Sequence, residues 1–406
     1  MIRGGHVEIN NRVKERTRRL QELMGERSID AAIILKPENV FYFSNFNPIL
    51  NSHPVFLIVP KAGEASLLVH ALRDTHARND AAMDKIVLYG KWGGKKTLAD
   101  TPEEAIAALL DEKIENLGIE RDSLNMAMFG KLKSKVEFRE DVDIGEMIQR
   151  MKVIKDAYEI ECIRAASLLV DTGVGTTLEW LASGVTEAEA CTEGQYAMRK
   201  AWQKEFPGYE VSGFGTSEGG MIDSLHCWCL SNERIAYGCD CPKPYRPKRG
   251  DMVLPMAWAK INGYHAENER SIVMGELSAD KQKAYDAMLE ARQNIFDILK
   301  PGALFEELYE AACGAFRRHG FGGILPGRVG HGIGNSAHEF VSLTKGNKMP
   351  LAAGMAITVE PGLMDAWGGA RHSDTVIITE KGYERLTVSP NRRIRIENGK
   401  ILYESD

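Results

Sequence analysis

Apolar and polar positions repeat with two different periods along this chain. Over residues 11–27, Val13, Leu20, Leu23 and Met24 stand among charged residues at helical spacing, which predicts an amphipathic surface helix. Residues 30–37 are a short apolar run stopped by Pro37 and read as a strand. Residues 40–43, 55–60, 67–69 and 86–89 read as further strands, as do 117–120 and 126–129. Thr101-Pro102-Glu103-Glu104 opens a helix, with a cap, a proline in the first turn and acids near the N-terminus. This alternation predicts a small α/β domain over residues 1–150.

Residues 151–181 then read as a long helix, ended by Gly184. Thr186-Glu187-Ala188-Glu189 has the form of a capping box and opens a second helix. A strand-rich stretch, 213–272, is followed by another helix pair, 278–299 and 304–319, joined by Pro301-Gly302. Strand-rich sequence returns at 355–386. The order predicts an α+β domain over residues 151–406 that repeats one architecture twice, without repeating its letters.

Composition narrows the partners. There are 51 basic and 57 acidic residues, a formal charge of -6, which argues against general nucleic-acid binding. No apolar run approaches the length of a membrane span, and Met1-Ile2-Arg3-Gly4-Gly5-His6 lacks a signal-peptide core. No membrane partner and a cytoplasmic location are expected. Of seven cysteines, Cys227, Cys229, Cys239 and Cys241 form two close pairs. They read either as a zinc site with unusually short spacing or as thiols of a reducing compartment.

Chemistry concentrates after the apolar run 252–258, a buried strand. In Asn262-Gly263-Tyr264-His265-Ala266-Glu267-Asn268-Glu269-Arg270, Glu267 and Glu269 are two residues apart and share a face if the chain is extended. Buried carboxylates need something positive: a metal ion, a cationic substrate, or Arg270 and His265. The bland alternative is a solvent-facing edge strand.

Further on stand Gly330-His331-Gly332-Ile333-Gly334, His338-Glu339, Val359-Glu360-Pro361-Gly362 and Arg371-His372-Ser373-Asp374. Together with Gly263-Tyr264 and Arg270, this ordered set resembles the pita-bread family of methionine aminopeptidase, aminopeptidase P, prolidase and creatinase, over about residues 150–390. Ile154-Lys155-Asp156 is similar to the entry of that domain. The resemblance implies an α+β pita-bread domain at 151–406 with an internal pseudo-duplication. A smaller α/β domain of the creatinase type, 1–150, would precede it. Metal-dependent members hold two divalent ions with two Asp, a His and two Glu, and these positions fall on Met256, Glu267, His331, Glu360 and Ser373. Methionine is no hard oxygen ligand and serine brings no carboxylate. Glu267, His331 and Glu360 are left as the ligands of any single ion.

Creatinase is similar in lacking the metal set, and its site histidine and glutamates fall on His226, Glu269 and Glu360. The resemblance therefore implies a metal-independent hydrolase of a C–N bond in a small cationic nitrogen compound, with no cofactor. His226 would serve as general base and acid, and Glu269 and Glu360 would grip the cation. His331 and His338 would assist, and His53, Tyr264, Glu267 and Arg371 would contact the substrate. The arginines that hold creatine have no counterpart at Ser52-His53-Pro54 or Val341-Ser342-Leu343, so creatine itself is not the expected substrate. A homodimer is implied, with residues 45–53 reaching the partner's pocket. Two alternatives stand beside this reading: a metal-dependent Xaa-Pro peptidase with a degenerate site, and a non-catalytic binding module.

Overall fold

The computed structural model describes residues 3–49, 52–110, 113–215 and 223–404. Leu50 and Asn51, in the loop expected to reach a partner, lie outside the described residues, as do 216–222 of the strand-rich stretch. The chain divides into two units, Met1–Met151 with Ser212–Ile222, and Lys152–Val211 with Asp223–Asp406.

In the first unit, the helix Arg3–Glu26 accompanies a six-stranded mixed sheet. Its central strand Ala31–Ile34 pairs antiparallel with Phe56–Pro60 and parallel with Ile114–Ile119. All four of its side chains are buried, as befits a strand covered on both faces. Two expected strands are helices. Residues 40–43 lie in the helix Pro37–Ser44, where Pro37 sits in the first turn with no N–H to lose. Six of its side chains are buried, so its apolar run carries no clear period. Residues 126–129 belong to the helix Met126–Lys133, fixed by the Asn125 side chain accepting from the Met128 amide.

The second unit repeats a helix pair followed by strands. The helix Ala157–Ala182 starts later than the apolar pattern suggested, because Asp156 and Glu159 close a capping box there. A second box, Thr186 with Glu189, opens Glu187–Glu205. The other pair is Ala279–Ile298 and Phe305–Arg318. Between the pairs runs a large sheet in which Glu339–Ser342, His331–Gly332, Ala356–Val359, Gly368–Ile378, Tyr264–Arg270 and Met252–Ile261 are successive neighbours. Leu225–Ser231 also pairs with Met252–Ile261. The strand Met252–Ile261 shows why its sequence is almost wholly apolar. Val253, Ala257, Ala259 and Ile261 pack in the core of the first helix pair, and Met252, Leu254 and Met256 in that of the second. This is the α+β pita-bread architecture with its internal repeat, preceded by the smaller domain. Among the described residues no helix is long and apolar enough to cross a membrane.

Candidate active site

Cross-strand register places the candidate residues. Met256 lies opposite Glu269, and Trp258 opposite Glu267. On the other side of the same strand, Trp228 lies opposite Met256 and His226 opposite Trp258. Ser373 faces Glu269 from the next strand. Because side chains alternate across a sheet, these residues share one face. It carries an aromatic half and an ionic half. His226, Trp228, Trp258, His338 and His331 form an unbroken row of ring contacts, with centroids 4.2–5.7 Å apart.

In the ionic half, Glu267, His331 and Glu360 converge, with ligand atoms all within 4.8 Å of one another. His331 Nε2 is 3.5 Å from Glu267 Oε2 and 3.4 Å from Glu360 Oε1. Neither His331 Nε2 nor Glu267 Oε2 has a hydrogen-bond partner among the described residues. The other ring nitrogen, Nδ1, is 2.9 Å from the Gly332 carbonyl, which directs Nε2 into the site. Gly330 lets this segment approach the neighbouring strand: a Cβ there would stand 2.2 Å from the Thr358 carbonyl oxygen.

Burial opposes a charge on His331, but Glu267 and Glu360 outweigh it and hold its pKa up at about 9. Burial likewise opposes ionisation of Glu267, and the neighbouring His331 and the Ser373 hydroxyl bring its pKa below the usual range. Glu360 is pushed up by burial and by the Glu267 charge. His338 is lowered to about 4 by burial and by the charge on His331, and burial lowers His226. A cavity of about 500 Å³ opens beside Glu360, with Arg328, Arg371, Leu325 and Met364 in its lining.

The positive partners differ from those expected. The Glu269 carboxylate does not meet Arg270, which reaches Glu269 only at its backbone carbonyl, since neighbouring side chains on a strand point to opposite faces. It pairs with Arg371, whose Nη2 donates to Glu269 Oε1 at 2.7 Å and whose Nε lies against Oε2. His265 is lowered to about 3 by burial, so it brings no charge at neutral pH. Arg270 reaches instead to Asp374 on the far face, and so does Arg292. Tyr264, buried, stands on that far side too, not with Glu267. His53 belongs to the first unit, where it stacks on His70 at 4.1 Å. Among the described residues no other group of His, Cys, Asp and Glu converges as a metal site. The cysteine quartet is split, with Cys227 and Cys229 buried and Cys239 and Cys241 exposed. Three participants went unread in the sequence: Trp228 and Trp258, which the period-2 alternation beside His226 and Glu267 marks out, and Arg328, which carries no local signal.

The model of metallopeptidase family M24 matches residues 161–380, and that of the creatinase/prolidase N-terminal domain residues 16–154. The chain is 31% identical over 376 residues to an Xaa-Pro dipeptidase of Pyrococcus furiosus, covering 92% of this chain and 98% of the relative. It is similar to the solved prolidase from Pyrococcus horikoshii OT3 at a TM-score of 0.79 and 27% identity, over 93% of this chain and 99% of that one. An Xaa-Pro dipeptidase from Bacillus anthracis gives a TM-score of 0.79 and 25% identity, over 94% and 99%. A peptidase cuts a C–N bond, so the expectation of a C–N hydrolase stands. The expectation of a metal-independent, creatinase-like hydrolase of a cationic nitrogen compound is overturned. The matching family is one of metallopeptidases, the relatives are named as dipeptidases, and Glu267, His331 and Glu360 converge, with Glu267 Oε2 and His331 Nε2 unpartnered. The chain belongs to metallopeptidase family M24, in its pita-bread form with a creatinase/prolidase N-terminal domain.

Proposed function

We propose that this protein is a metal-dependent peptidase that cleaves dipeptides of the Xaa-Pro type. The convergence of Glu267, His331 and Glu360 carries the reading. Ligand atoms at about 2.0–2.1 Å from a tetrahedral ion stand about 3.3–3.4 Å apart, close to the 3.4 and 3.5 Å separations found around His331 Nε2. Hydrogen bonds among these groups would have been shorter. One divalent ion fits, held by Glu267, His331 and Glu360; when bound it supplies Lewis acidity toward the scissile carbonyl and hydroxide at neutral pH. The five-ligand set of a paired site does not fit, because Met256 and Ser373 bring no carboxylate.

The chain's own groups bind and orient. His338, neutral at pH 7, stands beside His331 and offers a ring nitrogen to accept or return a proton at the cleaved bond. Ile324, Leu325, Pro326 and Met364 give the cavity apolar walls suited to a proline ring. Arg328, 45% exposed and 3.6 Å from Glu360, faces the same cavity and suits a free C-terminal carboxylate. The same reading takes the protein as a cytoplasmic homodimer, with a catalytic domain at 151–406 and the smaller domain at 1–150.

The test is hydrolysis of an Xaa-Pro dipeptide panel with Mn²⁺, Co²⁺ or Zn²⁺, followed by chelation and reloading. Cleavage should vanish on chelation and return with the ion. Cleavage indifferent to chelation, or none with any ion, would sink the reading. Arg328→Ala should raise KM for dipeptides roughly ten- to a hundredfold, the worth of a charged hydrogen bond of about 1.5–3 kcal/mol. Dipeptide amides, which lack the carboxylate, should be unaffected. An equal loss on both substrates would remove Arg328 from carboxylate binding.

A further inference from the structure

Met256 and Ser373 stand where the family resemblance places two carboxylates, and their surroundings form a particular arrangement. Met256, Glu269 and Ser373 form a row of cross-strand neighbours, with Glu269 in the middle. Arg371, two residues from Ser373 on the same strand and face, lays its guanidinium over that row. Its Nη2 is 2.7 Å from Glu269 Oε1 and 3.6 Å from Met256 Sδ, and its Nε lies against Glu269 Oε2. The Arg371 side chain is 17% exposed and that of Glu269 3%. Ser373 Oγ donates to Glu267 Oε1 at 2.6 Å. Both Glu269 oxygens are thus engaged by the guanidinium, Ser373 is engaged by Glu267, and the remaining donor is a thioether, a poor partner for a hard divalent ion.

Charge leads to the same result. Glu267, Glu269 and Glu360 are three buried carboxylates. One divalent ion together with the Arg371 guanidinium neutralises them; a second ion would leave the interior two charges positive, at a large desolvation cost.

We propose that this site takes one ion only, and that the guanidinium of Arg371 stands in for a second cation as a fixed, non-exchangeable charge. The proposal rests on the metal-peptidase reading for its first ion. Arg371 also lines the cavity beside Glu360. Its remaining N–H groups are therefore placed to stabilise an oxygen on which negative charge develops, as preorganised donors do.

The test counts ions in the full-length protein by equilibrium dialysis against Mn²⁺ and elemental analysis, without reference to turnover. Wild type should bind one equivalent. The Met256→Asp/Ser373→Glu variant adds two carboxylates and so removes the charge obstacle to a second ion, but its guanidinium still engages Glu269 and lies over the row, and it should still bind one. Adding Arg371→Met to those two changes should raise the count to two. Two ions in wild type, or in the variant that keeps Arg371, would overturn the proposal and leave the peptidase reading intact. No ion in wild type would overturn both. Should the variants fail to fold, Co²⁺-loaded wild type decides alone: the electron paramagnetic resonance of an isolated high-spin ion is expected, and the signature of a coupled pair would overturn the proposal.

Discussion

Asp374→Asn is expected to destabilise the catalytic unit by about 3–5 kcal/mol, the usual cost of removing one partner from a buried ion pair. Asp374 is fully buried. It accepts from Arg270 Nη2 at 2.6 Å, from Arg292 Nε at 3.1 Å and Nη2, and from the Thr387 hydroxyl at 2.8 Å. Arg270 in turn donates to the carbonyls of Ser373, Ser389 and Pro390. The substitution would leave two buried guanidinium groups without their carboxylate. Burial opposes ionisation of Asp374, but Arg270 and Arg292 outweigh it and hold its pKa far below the usual carboxylate range. A depressed folded-state pKa gives stability that is present above the unfolded value, about 3.9, and is lost as pH falls toward the folded one. Urea unfolding from pH 7 down to pH 3 should therefore show wild type losing stability below about pH 4, with a flatter profile in Asp374→Asn. A loss under 1 kcal/mol at pH 7 would show that the network contributes little.

His331→Ala should cost turnover on the order of 10³-fold or more, since Lewis-acid stabilisation is worth about 4 kcal/mol and each 1.36 kcal/mol is tenfold. It removes the central atom of the convergent group, the one that lies within 3.5 Å of both carboxylates. Bound metal should fall in parallel. His338→Ala should separate from it, with turnover down about 10²–10⁴-fold and metal content unchanged. If His331→Ala kept both its metal and its rate, Glu267 and Glu360 would have to hold the ion without it, and the three-residue centre would be wrong.

Much of the fold was legible because its signals are local. Thr186 with Glu189 announces a helix start within four residues, and that box closes as expected; Asp156 with Glu159 carries the same local signal but went unread, so that helix was expected to start at 151. The helices Pro37–Ser44 and Met126–Lys133 were misread as strands because short apolar runs carry no decisive period. The convergent trio Glu267, His331 and Glu360 was legible from motif order. The Glu269–Arg371 pair was not: it joins residues 102 positions apart through strand register, which no local pattern reports. Tyr264 was a different kind of error. The alternation that places Glu267 beside Glu269 already sends Tyr264 to the other side.

Behind the face of the candidate site, Arg270 and Asp374 stand on the same strands that carry Glu269 and Ser373, and Arg292 reaches Asp374 from the helix Ala279–Ile298. The architecture of that face is thus braced from the rear by permanent charges rather than by an exchangeable ion. Such bracing makes the scaffold forgiving toward its own reactive surface. Single positions on the front of the sheet can be changed, and a designer can rewrite it, while its rear anchorage is left alone.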